Sequence, residues 1–145
     1  MFLRAVITAL LLLSPAIASG SIHPEKDYQT RWCEAAGGET EFVLPDRARV
    51  DCLTLTHAVE VDFAPKWAEA IGQALYYSIA TGKSPGILLI IEDRDDGRFL
   101  KRLLAVTDMA GITVWVTTQD DLPGLPKKKA VSMGSGNDSG VQKKD

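Results

Sequence analysis

The chain has 145 residues, of which 46% are hydrophobic, 24% charged and 7% aromatic. That is enough for one domain with its own core, and it excludes a disordered, collagen-like or coiled-coil body. Two cysteines are too few for a disulfide-scaffold miniprotein or a four-cysteine zinc site, and a net charge of −3 gives no overall basic footprint for nucleic acid or acidic membrane.

The chain opens on Met1-Phe2-Leu3-Arg4, continues with an apolar run from Ala5 to Leu13, and then reads Ser14-Pro15-Ala16-Ile17-Ala18-Ser19. A basic start, a short apolar stretch and an A-x-A site are the parts of a secretory signal peptide. The run is shorter than the roughly 20 residues that a membrane span needs. Residues 1–18 are therefore expected to be cleaved, leaving a mature chain of residues 19–145 that is periplasmic or secreted, with no stable membrane insertion. In that setting Cys33 and Cys52 either close a loop of about 20 residues, worth roughly 3 kcal/mol, or remain two buried thiols. The sequence leaves both open.

Residues 25–36 suit a first helix, stopped by Gly37-Gly38. Residues 40–44 alternate as a short strand and end at the turn signal Pro45-Asp46-Arg47. Residues 49–56 and 58–63 are two further strands, and the tight Thr56-His57 connection predicts that they pair antiparallel. Pro65 near the start and Gly82 just past the end frame a helix over 66–81. Its apolar face toward the sheet is expected to be Trp67, Ile71, Ala74 and Leu75.

Residues 86–91 form an unbroken apolar run, expected of a strand buried on both faces. An acidic turn over 93–97 leads to a helix over 99–109, with Phe99, Leu103, Leu104 and Val106 at roughly helical spacing, and residues 112–118 make a last strand. The order α-β-β-β-α-β-α-β predicts an α/β three-layer sandwich around a mixed sheet, in one domain over residues 22–121. Residues 122–145, rich in Gly, Pro, Ser and Lys, read as a flexible tail with a charge of +3, against −7 for the rest of the mature chain.

Alternation along residues 59–63 puts Glu60 and Asp62 on one strand face and Val59, Val61 and Phe63 on the other. Asp51 stands on the preceding strand. Three carboxylates near one end of a hairpin repel one another unless they are solvated at an exposed strand end or joined by a cation. Mg²⁺ prefers such oxygen ligands. On the following helix Lys66, Gln73 and Tyr77 fall on one line, an amine, a carboxamide and a phenol suited to a polar lining.

Asp51, then Glu60 nine residues later, then a helix bearing Gln73-x-x-x-Tyr77, resembles the PD-(D/E)XK nuclease superfamily. The similarity is closest to its branch of Holliday-junction resolvases and RecB-like nucleases, and it covers about residues 25–92. It implies a restriction-endonuclease-like core and an exported, Mg²⁺- or Mn²⁺-dependent phosphodiesterase acting on DNA or RNA. By that resemblance Asp51 and Glu60 bind metal and are catalytic. Glu34 matches an acid that some members carry on the first helix, with Glu41 as a second candidate. Gln73 and Tyr77 match the helix motif that positions phosphate or base.

One departure stands out. The family's Lys, two residues after the second acid, is here Asp62. Either Lys66 supplies a migrated amine, or Asp62 binds a second cation, or the site is inactive and the fold serves as a periplasmic binding or interaction module. His57, in the hairpin connection, reads as a turn residue and is left out of the site. No G-x-S-x-G elbow, H-E-x-x-H, Walker loop or post-strand G-x-G-x-x-G occurs. The acidic folded part argues against tight nucleic-acid binding, and the Lys-rich tail offers at most a weak phosphate contact.

Overall fold

The computed structural model describes residues 21–122. Its elements run α1 (Glu25–Ala35), β1 (Glu39–Val43), β2 (Arg49–Leu53), β3 (His57–Phe63), α2 (Trp67–Thr81), β4 (Ser84–Ile91), α3 (Gly97–Ala110) and β5 (Thr113–Thr118). One-turn 3₁₀ helices at Ala64–Lys66, Arg94–Asp96 and Gln119–Asp121 follow β3, β4 and β5. The expected order of elements is present. The signal peptide over 1–18 and all of the tail beyond Leu122 lie outside the described residues. Leu122 itself is buried in the core, so the folded unit extends one residue into the segment expected to be tail.

The sheet order is β1-β2-β3-β4-β5, antiparallel through β3 and parallel from β3 to β5. The two crossovers, β3-α2-β4 and β4-α3-β5, step along the sheet in the same direction. Crossovers of one hand then place α2 and α3 on the same face, and α1 covers the other. Against α1 pack Val59, Val61, Leu88 and Ile90, with Tyr28 and Cys33 of the helix. Against α2 and α3 pack Ile87 and Leu89, with Ala70, Ala74 and Leu103. β4 is thus apolar throughout because both of its faces are covered. No helix among the described residues is long and apolar enough to cross a membrane.

Local signals explain the boundaries. Glu25 and Asp27 sit in the first turn of α1, where negative charge is favoured. Gly82 ends α2 at φ +68°, returning its N–H to the Ser78 carbonyl, a left-handed cap that glycine takes without a Cβ penalty. The expected face of α2 holds at Ala74, which is buried, and at Trp67 and Ile71, which pack against the same cluster; it is corrected at Leu75, which is 37% exposed, while Ala70 and Tyr77 are buried as well. The second strand ends at Leu53 rather than Thr56, because Thr54 turns the chain. Its N–H and Oγ1 both donate to the His57 carbonyl, and its Oγ1 also accepts the His57 N–H.

Cys33 and Cys52 form a disulfide with Cα atoms 5.6 Å apart, settling the choice the sequence left open. It ties α1 to β2. A Cβ on Gly38 would meet Cys52 Sγ at 2.6 Å and Cys33 Sγ at 2.9 Å, so this position has room only for glycine.

Candidate active site

The hairpin of β2 and β3 opens into a fork. The strands pair at Cys52–Val59 and Leu53–Ala58. Beyond that point Val50 and Arg49 pair with β1, while Glu60 to Phe63 pair with β4. Continuing the hairpin register sets Asp51 opposite Glu60, and residues directly opposite in an antiparallel pair share a face. At the mouth of the fork the Val61 N–H donates to Asp51 Oδ2 at 2.8 Å.

Glu60 is only 5% exposed and Asp62 only 2%. Both lie on the α2 side of the sheet, beside Ile87 and Leu89 of β4. Glu60 Oε2 is buried and has no hydrogen-bond donor. An ionised carboxylate in that position is costly, and the site accommodates it by holding a proton. Burial, followed by the charge of Asp51, raises the Glu60 carboxyl far above its ordinary range. Burial also raises Asp51, against the lowering effect of the Val61 N–H. The two carboxyls, standing opposite each other, do not lose their protons independently.

Lys66 lies in the 3₁₀ turn that precedes α2, not on α2 itself. Its Nζ is 3.4 Å from Asp62 Oδ1, and the same oxygen accepts the Phe63 N–H at 2.9 Å. The amine therefore stands at the site but is held by Asp62 rather than by Glu60. That carboxylate raises the Lys66 pKa, while burial raises Asp62.

Gln73 and Tyr77 are one turn apart on α2. The Tyr77 hydroxyl donates to Gln73 Oε1 at 3.2 Å. The ring is 6% exposed and packs with Leu44, Val50 and Ala58. Burial and then the charge of Glu60 push the phenol upward, which puts the hydroxyl beside the fork as a neutral donor.

Two contributors from α1 were not anticipated. Glu25 reaches the fork, where its carboxyl meets that of Asp62, and burial with the charges of Asp62 and Asp51 pushes it up to about 7. The buried amide of Gln29 donates from Nε2 both to the Asp51 carbonyl and to Glu41 Oε1, each at 2.8 Å. Glu34, the acid expected from this helix, is corrected. It is exposed, and nine residues separate it from Glu25, roughly 14 Å along the helix. Glu41, at φ +57°, pairs with Arg49 at 3.4 Å and has its carboxyl lowered chiefly by the Gln29 hydrogen bond. It braces the rim of the fork.

His57 points to the α1 face. Its Nε2 lies 3.2 Å from Thr113 Oγ1 and its ring 5.1 Å edge-on from Trp115. With Trp32, Ala36, Thr54, Leu55 and Thr56 these two residues line a shallow cleft of about 290 Å³, at the opposite end of β3 from the acids. His57 thus takes no part in the fork.

Comparison with protein-family models, curated proteins and solved structures finds no match to this chain.

Among the described residues no three His, Cys, Asp or Glu side chains gather closely enough to hold an ion by themselves. The residues that could contribute to such a site are the facing pair Asp51 and Glu60, with Glu60 Oε2 lacking a partner. Mg²⁺ characteristically takes one or two carboxylates and completes its octahedron with waters and substrate phosphate, so the pair fits that class of cation.

Proposed function

We propose that the protein is a divalent-metal-dependent nuclease built on a restriction-endonuclease-like core, with Mg²⁺ or Mn²⁺ held at the fork by Asp51 and Glu60. The observation that carries this reading is the buried Glu60 Oε2, without a hydrogen-bond partner, on a residue that stands opposite Asp51. A purely structural role gives no reason to keep two acids there, because apolar residues of similar volume would remove the desolvation cost. A cation bound at the pair supplies Lewis acidity toward a phosphodiester oxygen and lowers the pKa of bound water.

The chain's own groups do the rest. Lys66, ion-paired with Asp62, brings an amine to the mouth of the fork, where charge builds on a phosphate under attack. Glu25 balances that arrangement, since its carboxyl competes with Lys66 for Asp62. The Gln73–Tyr77 pair presents a carboxamide and a phenol in fixed relation, able to orient a phosphate or base. Gln29 holds the Asp51 backbone, and so fixes the angle of its carboxylate.

The test is cleavage of linear and branched DNA and of RNA by the purified protein, with Mg²⁺, Mn²⁺ or chelator. Wild type is expected to cut only with metal. Asp51→Asn and Glu60→Gln should each lose at least about 10²-fold in rate, and Lys66→Ala about 10²-fold. A folded wild-type protein that cuts none of these substrates refutes the nuclease.

A second reading, a non-catalytic binding module in the periplasm or outside the cell, draws on one observation. Among the described residues, Lys66 at the fork is paired with Asp62 and not with Glu60. It predicts metal binding without cleavage.

A further inference from the structure

The folded part of the chain is acidic, yet one of its helices carries a compact basic face. Arg98, Lys101 and Arg102 stand at i, i+3 and i+4 in α3, a spacing that sets three side chains on one helix face. All three are exposed, and none takes part in the salt bridges found among the described residues. Phe99 organises them: the Arg98 guanidinium lies 4.6 Å and that of Arg102 5.9 Å from the centre of its ring. Guanidiniums resting on an aromatic ring are already partly ordered, so less freedom is lost when they grip a partner.

The stripe has a definite place relative to the fork. Phe99 packs into the same apolar cluster as Ala64, and α3 packs against the 3₁₀ turn Ala64–Lys66 that follows Asp62 directly. Acids stand beside it: Asp95 is exposed three residues before Arg98, and Asp96, whose Oδ2 accepts the Glu92 and Asp93 N–H groups, lies in the same turn. The three cations lie beyond that turn along α3, whose first residues and Lys66 both follow the C-terminal ends of β4 and β3, where open α/β sheets bind their ligands.

We infer that Arg98, Lys101 and Arg102 form the surface that carries the phosphate backbone of a nucleic-acid strand lying across the fork. This rests on the nuclease reading, which supplies the occupant: a polyanion whose neighbouring phosphates must pass beside Lys66. It also bears on the objection that the domain is acidic, since these three cations share one helix face.

The test is fluorescence anisotropy with dye-labelled DNA and RNA oligonucleotides in chelator, so that no cleavage intervenes, at several salt concentrations. The full chain is compared with R98A/K101A/R102A and with K26A/R31A, which removes charge from α1. The triple variant should bind about 10-fold or more weakly, with the slope of log affinity against log salt flatter by about 2, while K26A/R31A changes both far less. Equal losses in both variants, no loss in the triple variant, or no oligonucleotide binding by wild type would each overturn the interface. So would binding to phosphatidylglycerol vesicles, lost in the triple variant, by a protein that ignores oligonucleotides. Stripe-dependent binding without metal-dependent cleavage keeps the interface and refutes the nuclease.

Discussion

Asp51 Oδ2 accepts the backbone N–H of Val61 at 2.8 Å, bridging β2 and β3 at the point where their pairing stops. One carboxylate oxygen thus holds the fork in shape while the pair it forms with Glu60 remains under electrostatic strain.

That strain predicts a trade between stability and function. Glu60→Gln removes one of two facing acids and gives Asp51 an amide donor. The metal-free variant at pH 8 should be more stable than wild type by about 1–3 kcal/mol. Chemical denaturation measures this; a destabilised Glu60→Gln would mean that the two acids do not oppose each other.

Stability of the metal-free protein should fall as pH rises. Folding raises the carboxyls of Glu60, Asp51 and Glu25, the last to about 7. Between about pH 4.5, where unfolded carboxyls have titrated, and those raised values, the native state holds more protons than the unfolded state. The slope of stability against pH is then negative. Calorimetry from pH 5.5 to 8.5 should show Tm dropping by several degrees, and the drop should shrink in Glu60→Gln. A Tm that is flat or rises over this range contradicts the assignment.

Alternation made Glu60 and Asp62 legible as neighbours on one strand face, and Asp51 as an acid of the preceding strand. That Asp51 stands opposite Glu60 was not legible, because a turn at Thr56-His57 would set it opposite Asp62, whereas the turn at Thr54 pairs Leu53 with Ala58. Glu25 was not legible, since its approach depends on the strands parting and on where the disulfide sets α1. Neither is encoded in periodicity. Tyr77 was placed on a polar line because its hydroxyl is polar, but most of a tyrosine is apolar surface. Its ring is buried while the hydroxyl alone reaches Gln73. The reverse holds for Leu75, whose apolarity pointed inward although the turn of α2 carries it to solvent.

Glu25 and Glu34 give a direct comparison on one helix. Glu25→Gln should change divalent-metal affinity by about 10-fold, as outer-shell partners of metal ligands do. Glu34→Gln, exposed at the far end of α1, should leave it unchanged. Titration of Mn²⁺ into both variants decides this, and equal effects would remove Glu25 from the site.

The disulfide and Gly38 are coupled by contact. Loss of the cross-link in C33A/C52A should cost about 3 kcal/mol for its 19-residue separation. Gly38→Ala should cost about 1–3 kcal/mol in the oxidised protein through its clash with both sulfurs. In the C33A/C52A background the Gly38→Ala penalty should shrink, and a double-mutant cycle showing strict additivity would contradict the contact.

In the proposed function Asp51 and Glu60 together hold a divalent cation in place of a proton. Titration calorimetry with Mn²⁺ at pH 7.5, in two buffers of different ionisation enthalpy, measures ion and proton at once. Saturable binding of about one ion with net release of about one proton is expected, both lost in Glu60→Gln. Saturable binding that persists unchanged in Glu60→Gln, or no saturable binding by the folded wild-type protein, would contradict it.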